Sequence, residues 1–211
     1  MNKEIILSQK LDQNDILKDF KKEFVNNDNE IYLDGNSLGK LPVISKTKLE
    51  NVIKNEWGSN LIASWNDYWL EMVDRISSKL ARLFNASDNE IIIGESTSVY
   101  LFQILTSLLK SNKYQHHFIS DNLNFPSDLY VISGICNSNP DSNLTIINYK
   151  SDIEAEVNLL KKTIKDNPGI ICLSLVSYKS SWLYPIRELN EWAIKNKSII
   201  VWDLSHAAGV V

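Results

Sequence analysis

The sequence predicts an α/β domain in which helices flank a mostly parallel β-sheet, preceded by a helical N-terminal segment. Two observations lead to this prediction. After residue 85, short β-branched runs alternate with helix-length segments, and strands connected through helices pair in parallel with right-handed crossovers. The strand runs are also apolar throughout, which is typical of strands buried on both faces of a sheet.

The elements follow from the spacing of apolar residues. Helical spacing occurs at 10–24, 43–56 and 66–84, and Asn66 and Asp67 are expected to cap the third helix. Beyond it, the predicted strands are 91–93, 117–119, 144–147, 170–176 and 199–202. The helices predicted between them are 97–110, 126–136, 152–166 and 186–196.

Composition restricts the class of protein and its partners. The 211 residues are 44% hydrophobic, which excludes a disordered chain. A net charge of −4 without a Lys/Arg-rich stripe argues against nucleic acid or an anionic membrane as the partner and favours a small molecule. No apolar run has the ~18 residues of a transmembrane helix, and the N-terminal run is too short for an export signal. Together with only two cysteines, these features predict a cytoplasmic protein.

Polar residues follow four predicted strands, at the sheet edge where parallel sheets bind ligands. The four segments are 94–98, 122–128, 174–178 and 203–206. Gly94 followed by hydroxyl residues at a helix start is suited to a phosphate. Asp203 is placed to hold a proton on a ligand ring nitrogen, with His206 three residues later. Taken singly, each segment also fits a plain helix cap or a surface residue.

Three other groups carry less functional information. His116 and His117 are adjacent on a strand and point to opposite faces, so no metal site is expected. Cys136 and Cys172 are interpreted as apolar core residues. The tryptophans are interpreted as core or interface, with contact to an aromatic substrate as the alternative. They are Trp57, Trp65 and Trp69.

Four segments, in this order, resemble the motifs of the kynureninase family, whose members are pyridoxal 5′-phosphate enzymes of the type I aminotransferase fold. The matching segments are 32–39, 96–99, 124–130 and 202–209. The resemblance runs from about residue 31 to 211. It implies an incomplete large domain of a type I enzyme with pyridoxal 5′-phosphate as the cofactor.

The resemblance also implies roles for individual residues. Thr97 and Ser98 would bind the cofactor phosphate, Phe125 would stack on the pyridine ring, and Asp203 would pair with the ring nitrogen. The other cofactor-binding residues that it implies are Pro126, Ser127, Asp128, Ser174 and His206. Ser37, in the N-terminal motif, would lie at the substrate end of the cleft.

The implied reaction is hydrolysis of L-kynurenine, or its 3-hydroxy form, to an anthranilate and L-alanine, in tryptophan catabolism and NAD biosynthesis. The complete enzyme is expected to be a homodimer. Two alternatives remain open: another type I enzyme, such as a cysteine desulfurase relative, and a non-catalytic module that has lost the half with the lysine.

The family's Schiff-base lysine lies in a Tyr-Lys pair downstream of the Asp-x-x-His motif, beyond Val211. Lys179 follows a tyrosine but precedes Asp203, so we interpret it as a solvated loop residue. The expected organisation is an N-terminal segment of residues 1–65, which contains the substrate-side motif, and a partial cofactor-binding domain of residues 66–211. We expect such a fragment to be inactive alone.

Overall fold

The structure is a computed structural model that describes residues 2–26 and 30–211. The chain forms two compact units, Met1–Ile76 and Ser77–Val211. The domain boundary expected between residues 65 and 66 stays a prediction. In the described part of the chain, no helix combines the length and the apolar character that crossing a membrane requires.

The first unit is built from short helical segments. They are α1 (Lys3–Asn14), a 3₁₀ turn (Lys18–Glu23), α2 (Val43–Asn51), a π-helical turn (Val52–Trp57), a 3₁₀ turn (Leu61–Ala63) and a second π-helical turn (Trp65–Trp69). The helix predicted over 10–24 is wrong in its bounds, because the Asp15 side chain accepts a hydrogen bond from Leu17 N–H, which competes with helix continuation.

A buried glutamate organises the tryptophan-containing part of this unit. Glu56 is 4% exposed and accepts hydrogen bonds from Trp69 Nε1 at 2.9 Å and from Asn51 Nδ2 at 3.2 Å. Donation by Trp69 is the main cause that lowers the pKa of Glu56. Trp65 and Trp69 make an edge-to-face contact, with ring centroids 5.7 Å apart, while Trp57 is largely exposed. The cluster is therefore only partly core.

Helix α3 (Met72–Phe84) confirms the helical part of the 66–84 segment. The predicted caps are wrong, since Asn66 and Asp67 lie inside the preceding π-helical turn, where Leu70 N–H donates to the carbonyl of Trp65.

The second unit contains a four-stranded sheet in which every strand pair is parallel. The strands are β1 (His117–Asp121), β2 (Asn143–Ile147), β3 (Ile170–Ser174) and β4 (Ile199–Asp203), in the spatial order β2-β1-β3-β4. The helices between and before them are α4 (Thr97–Ser111), α5 (Pro126–Ser138), α6 (Val157–Asp166) and α7 (Ile186–Lys195). The predicted parallel sheet with flanking helices is confirmed.

Apolar cores lie on both faces of this sheet, because successive strand residues point to opposite sides. On one face, strand residues pack against α6 and α7 through Ile119, Ile171, Leu173, Leu160, Ile164 and Leu189. On the other face, they pack against α4 and α5 through Phe118, Ile170, Cys172, Leu105 and Ile132. Strand β3 is buried along its whole length. Cys172 is a core residue, as predicted.

Two predicted elements differ from the structure. Residues 91–93 are not a strand: Ile92 is 76% exposed, and no strand in the described ranges pairs with this segment to accept its backbone hydrogen bonds. The helix predicted over 152–166 begins only at Val157. Glu156 Oε1 accepts from Lys150 N–H, and Ser151 Oγ accepts from Ile153 N–H, so local side-chain hydrogen bonds replace the first helical turn.

The two histidines have separate partners. His117 Nε2 lies 2.8 Å from Thr145 Oγ1, on the neighbouring strand, whereas His116 Nε2 lies 3.1 Å from Asn112 Oδ1. Among residues 2–26 and 30–211, no group of three His, Cys, Asp or Glu side chains is placed to hold a metal ion.

A glycine at the start of β3 provides a test of the sheet packing. A Cβ on Gly169 would lie 2.1 Å from the carbonyl oxygen of His117, which is backbone and cannot rotate away. We expect Gly169→Ala to lower the free energy of unfolding by about 1–3 kcal/mol, measured by urea denaturation.

The matched control is Gly134→Ala. Gly134 is an exposed residue of α5, and a Cβ there would have no atom within 4 Å. This change is expected to raise stability by about 0.5–1 kcal/mol, because alanine favours the helix. Equal effects of the two substitutions would contradict the close approach at Gly169.

Candidate functional site

Three of the four polar segments meet at the carboxyl ends of adjacent strands. Strands β1, β3 and β4 end at Asp121, Ser174 and Asp203, and the register pairs Ser174 directly with Asp203. The loops that follow place aromatic and acidic side chains over this edge. This is the position at which parallel sheets with flanking helices bind ligands.

Asn124, in the loop after β1, is the residue that joins these segments. Its Nδ2 donates to Ser120 Oγ at 3.0 Å and to the carbonyl oxygen of Cys172 at 3.2 Å. Its Oδ1 accepts from Ser174 Oγ at 2.7 Å and from Phe125 N–H at 2.9 Å. The sequence predicts either a helix cap or part of a ligand site for this segment, and it does not predict the hydrogen-bond partners of Asn124. The actual N-cap of α5 is Phe125, held extended because Pro126 follows it.

Two carboxylates lie in this site in different environments. Asp203 Oδ1 accepts from the backbone N–H and hydroxyl of Ser205, and its Oδ2 is 3.4 Å from Ser174 Oγ. Asp128, in the first turn of α5, is only 1% exposed. Ser127 Oγ lies 3.3 Å from Asp128 Oδ1, whereas no described residue makes a hydrogen bond to Asp128 Oδ2.

Among the described residues, Asp128 and Asp203 lack a Lys or Arg partner that would compensate their charge, and Asp128 Oδ2 also lacks a hydrogen-bond donor. Burial, and secondly the negative charge of Asp203, raise the pKa of Asp128 to about 6. A buried acceptor without a donor costs free energy unless a ligand supplies one. A ligand that carries a protonated nitrogen would supply both a hydrogen-bond donor and a compensating positive charge. The acidic pair therefore fits a protonated heterocycle.

Three aromatic rings lie beside the carboxylates. The ring centroid of Phe125 lies 5.0 Å from that of Tyr178 and 6.4 Å from that of His206, and Tyr178 and His206 are 6.5 Å apart. Phe125 is 39% exposed, which leaves ring surface available for stacking. Tyr178 was not among the predicted site residues. Lys179, next to it, is exposed, with its Nζ 5.8 Å from the Tyr178 ring centroid.

The predicted phosphate segment has a different local structure from the one expected. Thr97 and Ser98 open α4, and the N-cap Ser96 Oγ accepts from Val99 N–H. The segment follows irregular chain instead of a strand, and in the described chain no hydrogen bond joins either hydroxyl to the carboxylates. Gly94 lies close to Tyr100, whose Oη is 2.0 Å from where a Cβ on residue 94 would be, so a larger residue there would require the Tyr100 ring to move. The φ of Gly94 is not positive, so the backbone conformation itself does not require glycine.

Ser37 belongs to the other compact unit. It is exposed in a loop closed by Tyr32, whose hydroxyl donates to the carbonyl oxygens of Asp34 and Leu38. Its substrate role stays a prediction, as do the roles of the cofactor-binding residues.

The fold and site define an α/β domain that carries a cluster of acidic and aromatic side chains at the strand ends. The chain belongs to the aminotransferase class-V family, which matches residues 31–210.

Curated relatives give more detail. The chain is 30% identical over 206 residues to a kynureninase of Pseudomonas fluorescens and 31% identical over 208 residues to a kynureninase of Burkholderia mallei. Each match covers 95% of this chain and 48% of the relative. The chain thus spans about half the length of the curated relatives it matches.

Solved structures share the fold. A mutant of C-DES with glycine covalently linked to its PLP cofactor has a TM-score of 0.75 at 14% identity, covering 90% of this chain and 51% of that one. The cysteine desulfurase CsdA of Escherichia coli has a TM-score of 0.74 at 15% identity, covering 90% and 49%. The predicted type I fold is confirmed.

The raised pKa of Asp128 predicts a pH dependence of stability. Because the folded-state pKa is about 6 against an ordinary 3.8, folding favours the protonated form. The stabilising contribution is complete below about pH 4 and is lost as pH rises through 6. It amounts to about 1–3 kcal/mol once partial solvent screening is included.

Urea denaturation at pH 5 and pH 8 measures this effect. The stability of Asp128→Asn is expected to change less between the two pH values than that of the original chain. Asp141→Asn, an exposed position, is the control and should retain the original dependence. An unchanged dependence in Asp128→Asn would refute the assigned pKa.

Proposed function

We propose that this chain supplies cofactor-binding residues of a kynureninase, an enzyme that hydrolyses L-kynurenine or 3-hydroxykynurenine to an anthranilate and L-alanine. The observation that carries the proposal is the buried, unpartnered Asp128 Oδ2 near Asp203, beside the partly exposed Phe125 ring. The kynureninase relatives at 30–31% identity support the choice of reaction.

The predicted cofactor, pyridoxal 5′-phosphate, is confirmed at the level of the family. Class-V membership, the kynureninase relatives and a neighbour structure with a PLP cofactor agree on it. When bound, this cofactor withdraws electrons from the α-carbon of an amino-acid substrate through its protonated ring nitrogen. The residues of this chain fit that group, since the acidic pair needs a positively charged donor.

Individual residues would make different contacts with the cofactor ring. Asp203 would accept the ring N–H, oriented by its hydrogen bonds from Ser205. Phe125 would stack on the pyridine ring, and His206, whose ring centroid lies 6.4 Å from that of Phe125, would lie beside it. Asp128 would hold negative charge close to the ring. Its pKa would fall when the cationic nitrogen binds, since an opposite charge favours the ionised carboxylate.

Thr97 and Ser98 would hold the phosphate. Both residues lie in the first turn of α4, a 15-residue helix whose first N–H groups and positive dipole end favour an anion. Their hydroxyls add side-chain donors to the same position.

A second candidate reaction is that of a cysteine desulfurase. The structural neighbours include enzymes of that name, but at 15–16% identity they share only the fold. The curated relatives with about twice that identity are kynureninases, which favours hydrolysis of kynurenine. A non-catalytic module is the third candidate. A homodimeric complete enzyme and a cytoplasmic location belong to the proposal.

The reaction is tested with the polypeptide produced from its own locus, including any sequence that follows codon 211. With pyridoxal 5′-phosphate and L-kynurenine, we expect anthranilate, followed by its fluorescence, and an equimolar amount of L-alanine. Asp203→Asn should lower the rate at least about tenfold, because a hydrogen bond to a charged group contributes about 1.5–3 kcal/mol. Release of sulfide from L-cysteine without cleavage of kynurenine would favour the desulfurase instead.

Cofactor binding is tested with the 211-residue chain and pyridoxine 5′-phosphate, an alcohol analogue that cannot form a Schiff base with surface lysines. Equilibrium dialysis is expected to show about a tenfold or greater loss of affinity in Asp203→Asn, and about a three- to tenfold loss in Phe125→Ala from lost stacking.

Tyr130→Phe serves as the control for these variants, because it removes an exposed hydroxyl from α5. It should bind the analogue as the original chain does. With the aldehyde cofactor, borohydride is expected to trap no specific adduct at Lys179. Equal affinities for all four chains would refute the proposed site.

A further inference from the structure

Another buried carboxylate lies on the opposite face of the sheet from Asn124. Asp121, the last residue of β1, is 1% exposed. Its Oδ2 accepts hydrogen bonds from the hydroxyls of Tyr184 at 2.8 Å and Tyr149 at 3.3 Å, and its Oδ1 accepts from Leu123 N–H at 3.0 Å. We call these three side chains, Asp121, Tyr149 and Tyr184, the Asp121 cluster.

The cluster connects loops that follow three different strands. Tyr149 comes after β2, and its backbone N–H donates to Asn122 Oδ1 at 3.1 Å. Tyr184 comes after β3, and its N–H donates to the carbonyl oxygen of Leu175 at 3.0 Å. Tyr149 and Tyr184 lie 28 and 63 residues from Asp121 in sequence. Their hydroxyls therefore fix the loop after β1 from both sides.

Both phenols remain donors at neutral pH. Burial, and then the charge of Asp121, raise the pKa of each tyrosine hydroxyl above its usual range. Tyr149 and Tyr184 are 5% and 2% exposed, so water does not replace them as donors to Asp121. A change in either phenol is thus expected to reach the carboxylate and its loop.

The same loop presents the cofactor-site residues. Asn124 N–H donates to the carbonyl oxygen of Asp121 at 3.3 Å, which closes a turn over residues 121–124. The next residue is Phe125, and its N–H is held by Asn124 Oδ1. The conformation of this turn consequently sets where Asn124 and Phe125 lie relative to Ser174.

We propose that Tyr149 and Tyr184 are positioning residues, which act through Asp121 to hold the 121–125 turn in the conformation that binds the cofactor. The proposal rests on the proposed function, because it takes Phe125 and Asn124 to be part of the cofactor site. Neither phenol touches that site in the structure. Their effect passes through Asp121 and the Leu123 amide.

The test compares Tyr184→Phe, Tyr149→Phe and Ile164→Val. Each tyrosine variant loses only a hydroxyl. Ile164 lies in the same core as both tyrosines but has no hydrogen bond to the loop, so Ile164→Val serves as the control for a loss of stability alone. Three properties are measured on the full chain: the urea midpoint, amide hydrogen exchange of the peptide containing residues 122–125, and the affinity for pyridoxine 5′-phosphate.

Tyr184→Phe is expected to increase the rate of amide hydrogen exchange in the 122–125 peptide at least fivefold. It is also expected to lower the affinity for pyridoxine 5′-phosphate at least fivefold. Tyr149→Phe should act in the same direction but less, because its hydrogen bond is longer. Ile164→Val should lower the urea midpoint without either effect. Unchanged exchange or unchanged affinity in Tyr184→Phe would overturn the proposal, and so would equal effects in Ile164→Val.

Failure of this proposal and failure of the proposed function give different results. If the original chain does not bind pyridoxine 5′-phosphate, the proposed cofactor site is wrong. In that case, amide hydrogen exchange of the 122–125 peptide alone decides whether Tyr149 and Tyr184 hold the 121–125 turn. If the original chain binds and the tyrosine variants bind equally well, the site stands and the positioning role is refuted.

Discussion

The candidate site depends on the Asn124 side chain, which makes four hydrogen bonds, two of them to β3, 48 and 50 residues away in sequence. Its amide joins the end of β1 to β3 and to the start of α5, at distances between 2.7 and 3.2 Å. A buried amide is expensive to leave unpaired, so each bond specifies the position of the others. The orientation of Phe125 and Ser174 therefore depends on this residue.

Some of this organisation was predictable because it is periodic or local. Apolar runs place the four strands within about two residues, and three of the four polar segments follow strands as predicted. The prediction failed at residues 91–93, since an apolar run becomes a strand only where a neighbour accepts its hydrogen bonds.

Other features depend on contacts between residues far apart in the chain. Asn124 reads as a helix cap, because its partners Cys172 and Ser174 lie about fifty residues away. No local sequence pattern predicts the Asp121 cluster. Tyr178 lies in the candidate site because the loop after β3 brings its ring against Phe125. The sequence predicts where each strand and loop lies in the sheet. The partners of individual side chains cannot be predicted from it, because they depend on contacts between distant residues in the folded chain.

The buried carboxylates Asp121 and Asp128 differ in how far the cost of their burial is compensated. Folding places Asp121 and Asp128 where the pKa of each rises to about 6, so ionising either carboxyl costs more free energy in the folded chain than in water. Asp121 is compensated by two phenols and a backbone N–H. Asp128 has an oxygen without a donor and a second carboxylate nearby, which an apolar core would not require. This difference between the two carboxylates supports the proposal that a cationic ligand compensates Asp128, which lacks a second donor among the described residues.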